Sequence, residues 1–222
     1  MDSLSMRDHV LWESDDGLAK AMYKPAGILT TGKHDRSLQS QVRKAFGISF
    51  SPAHCLDRHT SGVILIGGDR PTRGELCRQF RERKVVKWYL AVVEGLFPDQ
   101  LIGNISPLKK GVETVRTTVS FEGKHAASSF SVLGHNDEQS LLAVRIYTGR
   151  THQIRVHLAQ LGFPIVGDPV YNKNAVWDSP QRMMLHAHRI HFPFKGDHIS
   201  VEAPVGSEFS DFLANSHKLN SI

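Results

Sequence analysis

Cysteine is scarce in this sequence: only Cys55 and Cys77 occur among 222 residues. Two cysteines are too few for the disulfide framework of a small secreted domain, so we expect reduced thiols in an intracellular, cytoplasmic protein. Residues 1–16 are polar and acidic and lack the apolar core of a secretory signal, which agrees with that expectation.

Long apolar runs and phosphate-binding glycine loops are also missing. No apolar run approaches the roughly 20 residues that a membrane-spanning helix needs, so we expect no membrane association. The glycine pair Gly67-Gly68 matches no nucleotide-binding fingerprint. No serine or cysteine stands in a recognisable nucleophile motif. Cys55 could act as a nucleophile, but no residue in the sequence is identified as its base. These absences argue against membrane proteins, nucleotide-binding folds and hydrolases with a serine or cysteine nucleophile.

The composition is that of a globular and basic protein. Hydrophobic residues make up 40% and charged residues 22% of the chain, as in folded domains. Lysine and arginine total 27 against 22 aspartates and glutamates, giving a net charge of +5. This surplus suits a polyanionic partner, although a mildly basic soluble protein would have the same balance.

Hydrophobic patterns predict short strands and scattered helices. Strands are expected at residues 9–13, 17–23, 62–67, 85–94, 183–192 and 198–201, with β-rich stretches through 101–147, and helices at 37–46, 69–83, 151–161 and 208–215. Because strands and helices do not alternate regularly, the pattern predicts an α+β fold with a mainly antiparallel sheet. No linker is visible and the composition gives no domain boundary, so 222 residues fit one large domain or two small ones.

The first segment whose residues could carry out catalysis or binding surrounds Asp57. This acid lies in a polar turn just before the apolar run 62–67, where its side chain is placed at the edge of a core. A carboxylate there can act as a nucleophile, a base or a metal ligand. It can equally be a turn residue that binds nearby backbone N–H groups.

The second segment contains Arg155, in the predicted helix 151–161. Arg155 is next to the apolar stripe of that helix, formed by Ile154, Leu158 and Leu161. A partly buried arginine needs an acidic partner, and it would hold that acid ionised and in one orientation. The alternative is a surface arginine whose stem packs along the helix.

The third segment is strongly basic and ends in two aromatic residues. Seven cations lie within 18 residues: Arg70, Arg73, Arg78, Arg81, Arg83, Lys84 and Lys87. Trp88 and Tyr89 follow directly. Basic groups beside stacking rings suit unpaired or flipped-out RNA bases, although a solvated charged face with two ordinary strand aromatics fits as well.

A histidine group near the C-terminal end provides a weaker metal hypothesis. His186 and His188 would share one face of a strand, and His191 is nearby in sequence. No cysteine or carboxylate stands at ligand spacing, so we do not expect a metal ion at these histidines. A metal-dependent hydrolase built on these histidines is kept as a competing function.

In combination, these segments resemble the RluA-type pseudouridine synthases, in family order from about residue 9 to 205. The blocks that carry the resemblance are Tyr23-Lys24-Pro25-Ala26-Gly27, His54-Cys55-Leu56-Asp57-Arg58-His59-Thr60-Ser61-Gly62, Lys87-Trp88-Tyr89-Leu90-Ala91-Val92-Val93-Glu94-Gly95, Thr148-Gly149-Arg150-Thr151-His152-Gln153-Ile154-Arg155-Val156-His157-Leu158, Gly167-Asp168-Pro169-Val170-Tyr171, Leu185-His186-Ala187-His188 and Glu202-Ala203-Pro204. The resemblance implies a cofactor-independent isomerase that converts uridine to pseudouridine in structured ribosomal or transfer RNA. It also implies that residues 1–222 form a single catalytic domain, with a mainly antiparallel mixed sheet and flanking helices and loops around a central cleft. This would be the short form of the family, which lacks an N-terminal S4 RNA-binding domain.

Roles of single residues follow from the resemblance. Asp57 matches the catalytic aspartate, which acts at the ribose by attack on C1′ or by removing a proton from C2′. Tyr89 matches the tyrosine that stacks on the target uracil, and Arg155 matches the arginine that pairs with the aspartate. The residues expected to contact RNA are Arg58, His59, Arg73, Arg78, Arg81, Arg83, Lys84, Lys87, Arg150 and His152.

The sequence departs from the family pattern beside the aspartate. Cys55 stands where the family usually has an arginine that fills the place of the flipped base, and Arg58 or His59 are the candidates to substitute for it. His59 replaces an acid, and Tyr23 replaces an asparagine. A non-catalytic RNA-binding protein on the same fold is therefore the main alternative. The sequence names neither the RNA nor the uridine, and a monomer is the expected state.

Overall fold

The structure, a computed structural model, describes residues 6–32, 35–111, 116–175 and 182–214. The chain divides into two compact units. The first comprises Met1–Val86 and Ala187–Pro204, and the second comprises Lys87–His186 and Val205–Ile222. The expectation of a single catalytic domain stays a prediction.

Strands dominate the described residues, and a short 3₁₀ helix (Met6–His9) precedes them. In chain order the elements are β1 (Val10–Glu13), β2 (Ala19–Lys24), α1 (Leu38–Phe46), β3 (Ser51–Pro52), β4 (Ser61–Gly67), α2 (Arg70–Arg81), β5 (Val86–Glu94), β6 (Gly103–Asn104), β7 (Leu108–Lys110), β8 (Thr117–Val119), β9 (Ser128–His135), β10 (Gln139–Ile146), α3 (Gln153–Gln160), β11 (Leu185–Phe194), β12 (Asp197–Glu202) and α4 (Ser207–Ala214). The predicted α+β class is confirmed. No helix among the described residues is both long enough and apolar enough to cross a membrane.

The first unit is built around the apolar strand β4. Strand β2 pairs antiparallel with both β1 and β4, while β3 pairs with β4 and β12 with β11. Every residue of β4 is buried, as its apolar run predicts. Its Val63 and Leu65 share a core with Ala21, Leu76 and Phe192. The loop that carries Asp57 therefore leads directly into a buried strand.

Helix α2 begins and ends where local chemistry requires. The Asp69 carboxylate accepts a hydrogen bond from the Thr72 N–H at 2.8 Å, and Pro71 lies in the first turn, as the sequence predicts. The helix ends at Arg81 rather than near residue 83, because Arg83 has a left-handed backbone (φ 58°) that cannot continue a right-handed helix.

The second unit contains a sheet in the order β5-β10-β9-β6, with antiparallel pairing throughout these strands. Helix α3 buries Ile154 and Leu158, as predicted. It begins at Gln153 and not at the predicted Thr151, because His152 has a left-handed backbone (φ 56°). This turn places Gln153, the first residue of α3, against Ser128 of β9.

Gly62 is required by two features of its position in the first unit. Its φ of +119° is unfavourable for other residues, and a Cβ atom there would lie 2.2 Å from the Ala187 carbonyl oxygen. We expect Gly62→Ala to lower the free energy of unfolding by about 3 kcal/mol in urea denaturation. Gly74→Ala in α2, where no atom lies within 4 Å, should instead be neutral or stabilising. Equal stability of the two variants would contradict this interpretation.

Candidate active site

The loop that carries Asp57 is fixed by its backbone on both sides. Thr30 Oγ1 donates to the Leu56 carbonyl at 2.8 Å and accepts from the Leu56 N–H at 3.1 Å. The Thr60 N–H donates to the Asp57 carbonyl at 3.1 Å and closes the turn. Leu56 is buried and Asp57 is half-buried, whereas Cys55 is exposed. The carboxylate therefore extends from an anchored backbone rather than from a free loop.

Lys24 ties this loop to the segment that follows β2. Its side chain is fully buried, and its ammonium donates to the carbonyls of Pro25 (2.9 Å), Ile28 (2.9 Å) and Arg58 (3.2 Å). The Gly27 N–H also donates to the Arg58 carbonyl at 2.8 Å. Three carbonyl dipoles replace water around the buried charge, which explains why a lysine is tolerated there. The Lys24-Pro25 motif thus has a structural role.

The motif residues that flank Asp57 differ in exposure. His54 Nε2 accepts from the Leu65 N–H at 3.0 Å, and the His54 ring packs 4.4 Å from that of Phe80, so His54 supports the loop. Arg58 and His59 are exposed, and Arg58 Nε donates to the Gly27 carbonyl at 3.0 Å. Their suggested role in place of the missing base-flipping arginine stays a prediction.

Arg155 in the second unit is paired with Asp168, a residue to which the sequence analysis gave no role. Arg155 Nε donates to Asp168 Oδ2 at 2.7 Å and Nη2 to Oδ1 at 2.8 Å, which is a bidentate geometry. Arg155 is 4% exposed and Asp168 is 0% exposed. The expectation that a buried arginine here has an acidic partner is therefore confirmed. The identity of Asp168 could have been found only from the Gly167-Asp168-Pro169 block.

Asp168 also organises the chain that follows it. Its Oδ1 accepts from the N–H groups of Val170 (2.8 Å) and Tyr171 (3.2 Å). The Tyr171 ring lies under the Arg155 guanidinium at 5.1 Å, and its hydroxyl is 2.9 Å from His152 Nδ1. Burial raises the pKa of Tyr171 above its ordinary value. His152, predicted to contact RNA, thus has a contact inside the protein.

Gln153 fastens the start of α3 to the sheet. Its Oε1 accepts from Thr148 Oγ1 (2.7 Å) and the Arg150 N–H (3.0 Å). Its Nε2 donates to the Ala127 carbonyl (2.9 Å) and Ser128 Oγ (3.0 Å). These polar groups are hydrogen-bonded to one another, so the residue types of this motif fix the start of the helix that carries Arg155.

Tyr89 and Trp88 do not form one stacking surface. They are adjacent on β5, and adjacent side chains of a strand point to opposite faces. Tyr89 is 8% exposed, whereas Trp88 is half-buried and packs against Arg145. Because of this alternation, each ring lies on its own face of the sheet.

Lys87 shares the Tyr89 face of β5, two residues before it. A Cβ atom on Gly149 would lie 3.6 Å from Lys87 Nζ, so the ammonium lies close to the Gly149-Arg150-Thr151 turn. Burial lowers the pKa of Lys87 to about 8, because the ammonium loses part of its hydration. At neutral pH this places a poorly solvated cation on the same face as Tyr89.

The Lys87 charge should reduce stability at neutral pH. The unfolded ammonium titrates near 10.5 and the folded one near 8, so stability rises as the pH increases between these values. We expect Lys87→Met to raise the free energy of unfolding at pH 7 by about 1–3 kcal/mol, and to lose this gain toward pH 10. Urea denaturation across that range measures it. Lys84→Met, an exposed control, should show no such pH-dependent gain.

The predicted basic surface on α2 is partly neutralised. Arg78 makes ion pairs with Glu75 (2.7 Å) and Glu82 (2.9 Å), and Lys84 pairs with Glu82 (2.8 Å). Hydrogen bonds from Gln79 and Arg78 lower the pKa of Glu75. Arg70, Arg73, Arg81 and Arg83 are also exposed. The role of these cations, including Arg78 and Lys84, in RNA binding stays a prediction.

The histidines of the metal hypothesis have packing roles. His186 is fully buried, with its ring 5.8 Å from that of Phe209. Burial lowers the pKa of His188, and His191 stacks on His198 at 5.5 Å. Within residues 6–32, 35–111, 116–175 and 182–214, no group of three or more histidines, cysteines, aspartates or glutamates is arranged to hold a metal ion.

Asp57 belongs to the first unit, whereas Tyr89 and Arg155 belong to the second. The convergence of these three residues on one nucleotide, which the resemblance implies, therefore stays a prediction. Each of them is nevertheless held by the local contacts described above or by its place in a paired strand.

Comparison with known proteins identifies the family. The family model described as RNA pseudouridylate synthase matches residues 20–160. An uncharacterized RNA pseudouridine synthase of Zymomonas mobilis is 37% identical over 210 residues, covering 88% of this chain and 94% of that protein. Ribosomal large subunit pseudouridine synthase C of Buchnera aphidicola is 34% identical, covering 95% of this chain and 71% of that protein.

A solved structure gives the same result. Human RNA pseudouridylate synthase domain containing 1 superposes with a TM-score of 0.83 and 27% identity, covering 100% of this chain and 94% of that one. These matches support the catalytic interpretation over a non-catalytic RNA-binding protein. The chain therefore belongs to the RNA pseudouridine synthases of the RluA type, a family of isomerases.

Proposed function

We propose that this chain converts a uridine of structured ribosomal RNA to pseudouridine, with Asp57 as the carboxylate that acts at the ribose. The observation that carries the proposal is family membership together with an aspartate at the family position. The backbone of that aspartate is anchored by Thr30 and by the Lys24 ammonium. A fixed backbone is what a group needs to meet a substrate in one geometry.

Asp57 cleaves the bond between the ribose and the uracil in this proposal. The carboxylate either attacks C1′ or removes a proton from C2′, and both routes break the N-glycosidic bond. Carboxylates suit either task, as they do in glycoside hydrolysis. The released uracil turns within the site and rejoins the ribose through C5. The C5 proton is then lost to solvent, N1 of the uracil takes up a proton, and a proton removed from C2′ is returned there. Every carbon, nitrogen and oxygen atom of the product comes from the substrate, so no external group donor is needed.

Tyr89 is the proposed platform for the target uracil. Its strand is held in register by β10, where Val144 is its direct partner. Flipping a base out of its stack costs roughly a few kcal/mol, and stacking on an aromatic ring returns about 1–3 kcal/mol. Lys87 supplies a nearby cation on the same face of β5 for the polyanionic backbone.

Arg155 is proposed to orient Asp57, as the family resemblance implies. Asp168 accepts hydrogen bonds from Nε and Nη2 of the same guanidinium. A bidentate partner fixes the guanidinium plane, so a second carboxylate would meet a donor that is already aligned. This arrangement is consistent with the burial of Arg155 and with the family role of the arginine.

Ribosomal RNA is proposed because a relative covering 95% of this chain is named a large-subunit synthase. The exposed cations Arg58, Arg73, Arg81 and Arg83, with His59, Arg150 and His152, are the proposed contacts to its phosphates. The monomeric state and the cytoplasmic location expected from the sequence belong to this proposal as well. Light scattering of the purified chain and fractionation of cells test them.

The proposed activity is tested with purified chain and RNA that carries tritium at uridine C5. Transcripts of large-subunit ribosomal RNA and of transfer RNAs are incubated separately, because tritium is released from C5 only when pseudouridine forms. We expect release from the ribosomal transcript, at a position then mapped by chemical labelling of pseudouridine. Release from transfer RNA alone would correct the substrate. RNA binding without release from either would refute the activity.

A further inference from the structure

Three side chains form a stack on the face of β5 and β10 opposite to Tyr89. The Arg145 guanidinium lies 5.6 Å from the Trp88 ring centre and 4.9 Å from that of Tyr147. Both contacts have the geometry of cation–π pairs, so the arginine is in contact with two aromatic rings. All three residues belong to the second unit.

Strand register produces this stack. Arg145 on β10 is the direct partner of Trp88 on β5, so the two side chains share one face. Tyr147 follows Arg145 by two residues and returns to that face, and its N–H still pairs with the Ala127 carbonyl at 3.0 Å. Its hydroxyl is 3.4 Å from Ser129 Oγ on β9. The stack is therefore held by three neighbouring strands rather than by a loop.

The stack offers unused recognition groups. Across the four described ranges, the Arg145 side chain makes no hydrogen bond or ion pair with another residue. A guanidinium has five N–H donors in a fixed plane. Trp88 and Arg145 are half-buried, and Tyr147 is 46% exposed, so ring and cation are both reachable from solvent. Among the residues that the structure describes, no carboxylate pairs with this cation.

We propose that Trp88, Arg145 and Tyr147 form a stacking platform for an unpaired nucleotide of the RNA substrate, outside the site of the target uridine. This inference rests on the proposed function, since it assigns a further contact to the same RNA. The exposed ring stacks on the base, and the guanidinium donates to a phosphate or to a base carbonyl. The platform lies on the other face of β5 from Tyr89, so it contributes to binding and not to chemistry.

Charge favours RNA over a protein as the occupant. A cation that contacts two rings, and that has no acidic partner within the described part of the chain, matches a polyanion whose bases also have flat faces. Unpaired bases stack on aromatic side chains regardless of sequence, so the platform would secure the RNA without selecting the target uridine.

The test compares RNA affinity and kinetics of two variants, Arg145→Gln and Tyr147→Ala. Each should raise the Kd for fluorescently labelled substrate RNA, and the KM for isomerisation, by about tenfold, while kcat stays within twofold of the wild type. Tyr147→Phe retains the ring and should bind as the wild type does. Lys173→Gln removes an exposed charge elsewhere in the same unit, and its Kd should change by less than twofold.

Thermal unfolding verifies that the variants are folded. If Arg145→Gln is unstable, the Kd and KM of Tyr147→Ala decide the test, because Tyr147 is exposed and its replacement should not disturb the fold. Kd and KM within twofold of wild type in the folded variants would overturn the platform, even if a protein were found to bind there. Wild type that binds RNA through this stack but releases no tritium would support the platform and refute the proposed activity, so the two failures are distinguishable.

Discussion

Asp57→Asn is expected to reduce the rate of pseudouridine formation by at least about 10⁴-fold. An amide cannot attack C1′ as a carboxylate does, and it cannot remove a proton from C2′. The side chain keeps nearly the same size, and the anchoring contacts of the loop involve the backbone of Leu56 and Arg58, so the fold should be retained. The rate is measured as tritium released from uridine C5 under single-turnover conditions.

Two controls separate chemistry from binding. The Kd of Asp57→Asn for the RNA should stay within a few-fold of the wild type, because an uncharged amide does not repel phosphate. Asp15→Asn, which changes an exposed aspartate in the turn before β2, should leave the rate unchanged. If Asp57→Asn formed pseudouridine as fast as the wild type, the central assignment would be wrong.

Asp168→Asn should produce the largest loss of stability among the substitutions considered. The change removes the charge that pairs with the buried Arg155 guanidinium, and breaking a buried pair in this way costs about 3–5 kcal/mol. The same carboxylate also holds the backbone N–H groups of Val170 and Tyr171, so the segment after it loses order as well. Urea denaturation at pH 7 measures the effect.

A double substitution distinguishes pairing from packing. Arg155→Met combined with Asp168→Leu removes both charges, and it should recover the part of the lost stability that comes from the broken ion pair, but not the part that comes from the Val170 and Tyr171 N–H groups. Arg78→Gln, which breaks exposed pairs on α2, is the control and should change stability far less. A single Asp168→Asn variant as stable as the wild type would show that the pair contributes little.

Much of the framework could be predicted from residue patterns. The buried run of β4, the capping of α2 by Asp69 and the apolar stripe of α3 follow from local chemistry, and the structure confirms them. Element ends were less predictable, because the left-handed residues Arg83 and His152 are not marked by glycine. Backbone conformation at such positions depends on the surrounding structure.

The partners of charged residues were the least predictable part. The sequence indicates that Arg155 needs an acidic partner. That the partner is Asp168 depends on how the chain folds after α3, which the sequence pattern does not give. Arg78 has Glu75 and Glu82 at helical spacing, so its ion pairs could have been predicted from the sequence. These pairs reduce the positive charge that α2 presents. The Trp88 and Tyr89 pair shows the opposite case, where simple strand alternation was enough to separate two rings.

The buried Lys24 ammonium has a consequence for dynamics. Because the carbonyls of Pro25, Ile28 and Arg58 share one ammonium, opening either the turn after β2 or the turn that carries Asp57 takes hydrogen bonds away from a buried charge. The two turns should therefore exchange their amide hydrogens in concert, as one cooperative opening unit. A nucleotide that orders one of them would stiffen the other without touching it.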